Sequence, residues 1–309
     1  MFIKRRRRKS WVTRTISTIT IFCILITLGK FLNSPQKWNE IFDFFQVNDI
    51  SKEAKNYPMA VHIFDVGAAD SIYIRCEDKN ILIDSGEHNA SNKTKEFLKR
   101  KGIDKLNLVV ATHPHSDHIG GMTEIIKTFD IDEFWMPDIP DKIVPTNRIY
   151  ESMLLALKEK NVTVNKPVAG ENLSLEALNI AVLAPNKKYD NMNNNSIVLN
   201  INFKSKNFLF MGDAEKESEY DIIEKEFALK ADVLKIGHHG SATSTTEKFL
   251  TSVSPTYAAI SVGESPANLP KSSVIERLKK HKITTLRTDL NGMLIFATDG
   301  NQIKALKEK

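Results

Sequence analysis

The chain has 309 residues, 41% of them apolar, with 43 lysines and arginines against 38 aspartates and glutamates. That length and apolar content suit one large domain or two small ones, and they exclude intrinsic disorder and a polytopic membrane protein. The net charge of +5 invites a nucleic-acid reading, but residues 1–30 hold eight basic groups (Lys4, Arg5, Arg6, Arg7, Arg8, Lys9, Arg14, Lys30) and no acid, so the remainder is slightly acidic.

In chain order, the first predicted element is an apolar segment. Thr15 to Gly29 carries no charge, and a basic cluster ahead of such a run is an export signal. Trp11 to Leu32 reaches the roughly 20 residues a bilayer demands if Arg14 and Lys30 snorkel to the two interfaces. Residues 1–32 are therefore expected to form a basic N-terminus and one transmembrane signal anchor. The basic end stays in the cytoplasm, which places the rest outside the cell, tethered to the membrane, or secreted if the signal is cleaved. Cys23 lies in the run and Cys76 stands alone beyond it, so the exported part has no internal disulfide. Residues 33–57 read as a stalk. Within it Trp38, Ile41, Phe42 and Phe45 form one apolar helical face, suited equally to a membrane surface, a second chain or the main domain.

Residues 58–309 read as one catalytic domain of alternating strands and helices. Three short β runs (60–66, 71–76, 80–85) precede a helix at 91–101, and the buried-type strand 106–113 runs directly into HPHSDHIGG. Helices follow at 121–129 and 147–160, then strands at 178–183, 196–203 and 207–211 and a helix at 214–227. The last third repeats strand then helix and ends on the strand GMLIFAT. Such mixing over about 250 residues predicts a layered α/β domain.

His113, His115, Asp117 and His118 place four potential metal ligands within six residues at a strand end. Imidazole and carboxylate suit zinc or another borderline divalent ion, and two such ions close together share a water as nucleophile. This HxHxDH run resembles the signature of the metallo-β-lactamase fold. Asp213, ending the strand FLFMGD, and the pair His238-His239 in HHGS follow in that superfamily's order. A closer resemblance is to the soluble metallo-β-lactamase-like domain of ComEC-type competence proteins, which take part in DNA uptake. It is carried by IFDVGAADS (63–71), ILIDSGE (81–87), NNNSIVL (193–199) and LKIGHHGSATS (234–244). Cell-surface phosphorylcholine esterases have a similar catalytic domain.

The resemblance implies an αββα four-layer sandwich and two divalent metals, zinc first and manganese as the alternative. His113 and His115 would hold metal one, Asp117 and His118 metal two, with Asp213 bridging. Of the histidine pair, His239 is preferred as the last ligand because it precedes the glycine, leaving His238 as proton donor or phosphate contact. Where superfamily members offer metal one a third histidine, this chain has NNNS, so Asn194 and Ser196 are expected near metal or substrate, or else in an ordinary turn. Ser241 is a candidate phosphate contact, with a plain turn role for Gly240-Ser241 the equal alternative. Two departures stand out: the family's GQGD is Gly67-Ala68-Ala69-Asp70 here, and SPANLP (265–270) lacks the histidine common after the strand ending SVG. Altered substrate choice, with chemistry kept, follows from them.

The expected function is metal-dependent hydrolysis of a phosphodiester outside the cell. A nuclease would track DNA with lysines such as Lys230, Lys235, Lys271, Lys279, Lys280 and Lys282. A surface esterase would act on a phosphorylcholine- or teichoic-acid-type envelope polymer. A lactone, thioester or β-lactam hydrolase fits HHGS less well. A membrane-anchored binding module with a structural metal site is the non-enzyme alternative.

Overall fold

The computed structural model describes residues 50–309 apart from 89, 265 and 266. The expected signal anchor and the aromatic face of the stalk lie outside the described residues. Among those described, no helix is long and apolar enough to cross a membrane.

The strands in chain order are β1 Met59–Ile63, β2 Ile72–Cys76, β3 Lys79–Ile83, β4 Lys105–Val110, β5 Asp130–Trp135, β6 Val164–Asn165, β7 Asn172–Leu175 and β8 Leu178–Ala184. There follow β9 Val198–Phe203, β10 Lys206–Phe210, β11 Val233–Lys235, β12 Tyr257–Ile260, β13 Thr284–Arg287, β14 Leu294–Thr298 and β15 Ile303–Lys307. The helices are α1 Ile50–Ala54, α2 Ser91–Arg100, α3 Ser116–Ile119, α4 Met122–Thr128 and α5 Arg148–Glu159, then α6 Lys216–Glu224, α7 Glu247–Val253, α8 Ser272–Lys280 and α9 Thr288–Asn291.

Successive side chains on a strand point to opposite faces, and that alternation sorts the core. One sheet has the order β15-β14-β1-β2-β3-β4-β5-β6 and the other β13-β12-β11-β10-β9-β8-β7. Val61, Ile63, Ile72, Ile74, Ile81, Ile83, Leu108 and Val110 of the first meet Ile180, Leu199, Ile201, Phe208, Phe210 and Val233 of the second in one buried layer. The alternate residues Tyr73, Leu82, Val109 and Phe134 pack with Leu98, Ile125, Ile126 and Met153 of α2, α4 and α5. On the other sheet Leu209, Leu234 and Ala258 pack with Ile222, Phe249, Leu250, Val274 and Leu278 of α6, α7 and α8. Three apolar layers thus separate helix, sheet, sheet and helix.

The compact unit begins at Ile50, earlier than the boundary at residue 58 drawn from the sequence. Ala54 of α1 is buried with Ala60, Ile295, Ala297 and Leu306. The Arg75 guanidinium donates to the carbonyls of Tyr57 (2.6 Å), Ala54 (3.1 Å) and Pro58 (3.3 Å). Those bonds make residues 50–57 part of the domain rather than of a stalk.

The topology also sets where chemistry can occur. β3, β4 and β5 are parallel, as are β10, β11, β12 and β13. The carboxyl ends of these strands release irregular loops on one rim of the sandwich, and functional side chains sit on such loops because the sheets hold them rigidly.

Candidate metal centre

β4 stops at Val110, three residues short of the histidine to which the sequence pattern extends it. The chain leaves the sheet here because Asp84, at the end of β3, captures the backbone: its carboxylate accepts from Thr112 N (2.8 Å) and Thr112 Oγ1 (2.7 Å). The next turn, α3, presents Asp117 and His118. From the second sheet β10 runs out into Met211-Gly212-Asp213. Gly212 has φ +51°, and a Cβ there would lie 3.0 Å from Cβ of both Ser196 and Thr112, so a side chain would push Asp213 off the site. β11 leads into the turn Gly237-His238-His239-Gly240, with both histidines in the left-handed region (φ 49° and 52°). That conformation costs about 1–2 kcal/mol per non-glycine residue, and such strain collects at functional sites. It turns the two rings apart: His239 is buried, whereas the His238 side chain is 27% exposed.

Two sets of donor atoms, each within 4.8 Å of one another, converge here: Asp117, His118, Asp213 and His239, and His113, His115 and Asp213; Asp70 and Asp84 likewise come within 4.8 Å of His118 and of one another. In the first set His118 Nε2 lies 3.3 Å from Asp213 Oδ1 and 3.6 Å from Asp117 Oδ2. His239 Nε2 lies 3.3 Å from Asp117 Oδ2 and 3.6 Å from Asp213 Oδ1. In the second, His113 Nε2 is 3.0 Å from His115 Nδ1 and 3.7 Å from Asp213 Oδ2. Asp213 therefore turns one oxygen toward each set.

These residues fit divalent cations on three grounds. Ligands around a tetrahedral ion with bonds of about 2.1 Å stand roughly 3.4 Å apart, close to the spacings above. His118 Nε2 and Asp213 Oδ1 are buried with no hydrogen-bond partner, a costly state unless a cation occupies the space between them. Four carboxylates, Asp70, Asp84, Asp117 and Asp213, lie in or directly behind the cluster, and the buried ammonium of Lys235 pairs with Asp70 alone; the surplus of carboxylates suits cations.

Each buried histidine is held from behind, which orients the ring and selects its tautomer. His118 Nδ1 meets Asp84 Oδ2 at 2.7 Å, His239 Nδ1 donates to the Ser261 carbonyl at 2.9 Å, and His113 Nδ1 lies 3.3 Å from both Thr112 Oγ1 and Ser196 Oγ. Burial, with His118 nearby, pushes His113 well below the ordinary histidine range and leaves it neutral. Burial also works to lower His118 and His239, but Asp213 and the other carboxylates outweigh it and raise both. Burial works to raise Asp213 and Asp117, and the surrounding histidines instead hold both carboxyls below the usual range.

Asp84 and Glu215 were not singled out as site residues from the sequence. Glu215, two residues past Asp213, receives His238 Nδ1 at 3.1 Å and Thr243 Oγ1 at 2.8 Å on one oxygen and Asn191 Nδ2 at 2.8 Å on the other. His238 Nε2 stands 3.8 Å from Asp213 Oδ2, at the rim of the donor cluster.

Asn194 lies buried in the turn Asn193–Asn195, and its Oδ1 accepts from Glu215 N (2.9 Å) and Ser218 N (3.4 Å), covering free amides at the start of α6. Ser196 is buried too, and its hydroxyl accepts from Asp213 N at 3.1 Å, so it positions Asp213 and His113. Lys235 is buried against Asp70 and absent from any surface track, while Lys280 is paired with Glu247 at 2.8 Å. Ser241 lies at the rim, 2.9 Å from Thr243 Oγ1.

Fold and site together define a member of a two-sheet hydrolase class. The Metallo-beta-lactamase superfamily model matches residues 64–264, and the chain belongs to that superfamily, whose members are generally metal-dependent hydrolases. Among curated proteins it is similar to ComE operon protein 3 of Bacillus subtilis, with 32% identity over 256 residues, 76% of this chain and 32% of that protein. Competence protein ComA of Neisseria gonorrhoeae is 29% identical over 250 residues, 80% of this chain and 33% of its own. Recombination protein 2 of Haemophilus influenzae is 30% identical over 241 residues, 76% of this chain and 28% of its own. The chain thus spans about a third of the length of these relatives. Among solved structures, the metallo-beta-lactamase fold protein YhfI of Bacillus subtilis shares the fold with a TM-score of 0.55 at 12% identity, covering 77% of this chain and 99% of YhfI.

Proposed function

We propose that this protein is a dinuclear metal-dependent phosphodiesterase that works outside the cell, tethered to the membrane by residues 1–32. The observation that carries the reading is Asp213, whose two oxygens face two separate donor sets. His113, His115 and Asp213 would hold one cation; Asp117, His118, His239 and Asp213 the other. Zinc suits the imidazole-rich sets, with manganese the alternative. Cations at such a centre supply an activated water and offset charge on the reacting oxygens.

The chain's own residues do the rest. His115 is exposed and the Asp117 side chain is 27% exposed, so the centre keeps an open side for substrate. That openness argues against a purely structural metal, whose shell is normally closed. Glu215 receives Nδ1–H of His238 and so pairs with the doubly protonated ring, whose Nε2–H passes to the leaving oxygen and leaves the ring neutral with its proton on Nδ1. Ser241 is the phosphate contact.

DNA is the leading substrate, on the strength of the similarity to the competence proteins. A second reading, hydrolysis of a phosphodiester in an envelope polymer, is favoured by the burial of Lys235 and by the mild acidity of the domain, neither of which suits a track for a polyanion. Incubating the protein with plasmid DNA and with bis-p-nitrophenyl phosphate, each with Mn²⁺ or Zn²⁺, separates the two. Nicked plasmid supports the nuclease; a cleaved dye ester beside intact plasmid supports the envelope enzyme.

A further inference from the structure

Asp70 and Lys235 form an ion pair at 2.8 Å in which both side chains are 1% exposed. Its location is unusual for charge. Lys235 ends β11, and its position two residues after Val233 puts its side chain on the face turned to the opposite sheet, where Val233 and Ala259 are part of the inter-sheet core. The ammonium crosses that layer to Asp70, which lies on the loop between β1 and β2 of the other sheet, and donates also to the Ile236 carbonyl at 3.0 Å. A buried pair of this kind contributes little net stability, because the desolvation of two charges consumes most of the attraction; apolar or neutral replacements of similar volume are often as stable. Stability alone therefore does not explain the pair.

What it touches does. Asp70 N donates to the Asp117 carbonyl at 3.1 Å, and the Asp70 carbonyl accepts from Gly86 N at 2.7 Å. The second carboxylate oxygen, Oδ1, is buried with no hydrogen-bond partner and lies 3.8 Å from His239 Nδ1. Negative charge behind that nitrogen favours the tautomer with the proton on Nδ1, which the Ser261 carbonyl also receives, and so keeps the Nε2 lone pair facing the cluster. Asp70 thus reaches three of the four donors of one set: Asp117 through the backbone, His239 through its charge, and His118, which has a donor atom within 4.8 Å of the Asp70 carboxylate. It makes no such contact with His113 or His115 of the other set.

We infer that the Asp70–Lys235 pair is a positioning device for one half of the centre: Lys235 pins Asp70 across the sandwich, and Asp70 sets His239 and Asp117 for the cation they share with His118. The two halves are then loaded with unequal dependence on this pair. The inference rests on the dinuclear reading above and concerns which side chains outside the donor sets make the second half competent.

The test is a titration of the full chain with Mn²⁺ or Zn²⁺ alone, following stoichiometry and stepwise affinity by calorimetry and elemental analysis, for wild type and for the neutral double variant D70N/K235M. Thermal unfolding of both proteins after chelation reports whether the variant folds. The expected result is two equivalents in wild type, and in a variant of equal or higher melting temperature one equivalent bound as before and the other weakened about 10–100-fold, the range for loss of a group that orients a ligand. Two equivalents at unchanged affinity in the folded double variant would overturn the inference and leave the dinuclear reading standing. Failure of wild type to take up two equivalents overturns the dinuclear reading itself, and this inference with it. Should D70N/K235M not fold, the single variant K235M, which keeps the Asp70 carboxylate and its backbone bonds, is titrated the same way, and unchanged loading of both sites overturns the inference.

Discussion

At the residue scale the site depends on a few side chains with no tolerance for exchange. Asp213 sends one oxygen to each donor set, so Asp213→Asn is expected to lose both metal equivalents and to reduce phosphodiester hydrolysis by at least about 1,000-fold, the scale of losing a preorganised charge at a reacting centre. Elemental analysis beside a rate measurement checks it. Glu215 acts more selectively. It holds His238 by Nδ1 at 3.1 Å, and a proton donor matters only when the leaving oxygen is basic. Glu215→Gln should therefore slow esters of alkyl alcohols by roughly 10–100-fold while leaving a p-nitrophenyl ester nearly unchanged; equal losses on both would remove His238 from the proton-donor role. Protons also report on the histidines as ligands. Asp213 and its neighbours raise His118 and His239 above the ordinary histidine value, against the effect of burial, so a cation competes with protons for them more than it would for free imidazole. Calorimetric titration in buffers of different ionisation enthalpy should register proton release on loading, and affinity should fall as the solution is acidified.

At the scale of elements, the turn after β11 is the demanding piece. Two left-handed histidines precede Gly240, which has φ +81° and whose Cβ position lies 2.5 Å from Pro270 Cβ. Gly240→Ala should cost about 1–3 kcal/mol in denaturant unfolding and lower activity with it, since the same turn aims His238 and His239. Much of this level was legible from pattern. The helices read at 91–101 and 147–160 appear as Ser91–Arg100 and Arg148–Glu159, and the strand read at 80–85 as Lys79–Ile83. β5 is hidden from pattern because the first four of its six residues, Asp130 to Glu133, include three acids and are only partly buried or exposed, so the apolar signal comes only with Phe134 and Trp135. β15 and the two-residue β6 lie at the sheet edge, where one neighbour suffices and few apolar residues are needed.

The donors themselves were readable because they cluster in sequence or end recognisable strands. What surrounds them was not. Asn194 and Ser196 look like substrate contacts in a string, yet their polar atoms are consumed by Glu215 N and Asp213 N, bonds that exist only once β9 and β10 pair. Asp70 and Lys235 are 165 residues apart, a separation over which no local pattern speaks, and a lysine near a basic-looking segment reads as surface until the sheet shows which face it occupies.

At the scale of the whole molecule, stability and charge are separate from the centre. His62 on β1 is buried between the rings of Tyr73 and Phe97, at 5.3 and 5.4 Å. Burial, reinforced by Arg75, lowers it from 6.5 to about 3. The unfolded chain takes up this proton below about pH 6.5 and the folded chain only near 3, so the contribution is full above 6.5 and is lost as pH falls through that window. One proton corresponds to about 1.4 kcal/mol per pH unit. His62→Phe should flatten the stability–pH slope by up to that amount between pH 6 and 4 and leave it unchanged above 7, as chemical denaturation at a series of pH values would record. The positive balance of the chain belongs likewise to its first 30 residues, so raising salt should change turnover of a small phosphodiester little.

We propose that two cations, held by donor sets sharing Asp213, make this protein a phosphodiesterase. It is tested most directly by hydrolysis of bis-p-nitrophenyl phosphate by the full chain titrated from zero to two equivalents of Mn²⁺ or Zn²⁺. Turnover that appears with loading, saturates at two equivalents and is absent in Asp213→Asn is the predicted result. A folded protein that binds two equivalents and leaves the ester intact would contradict the account.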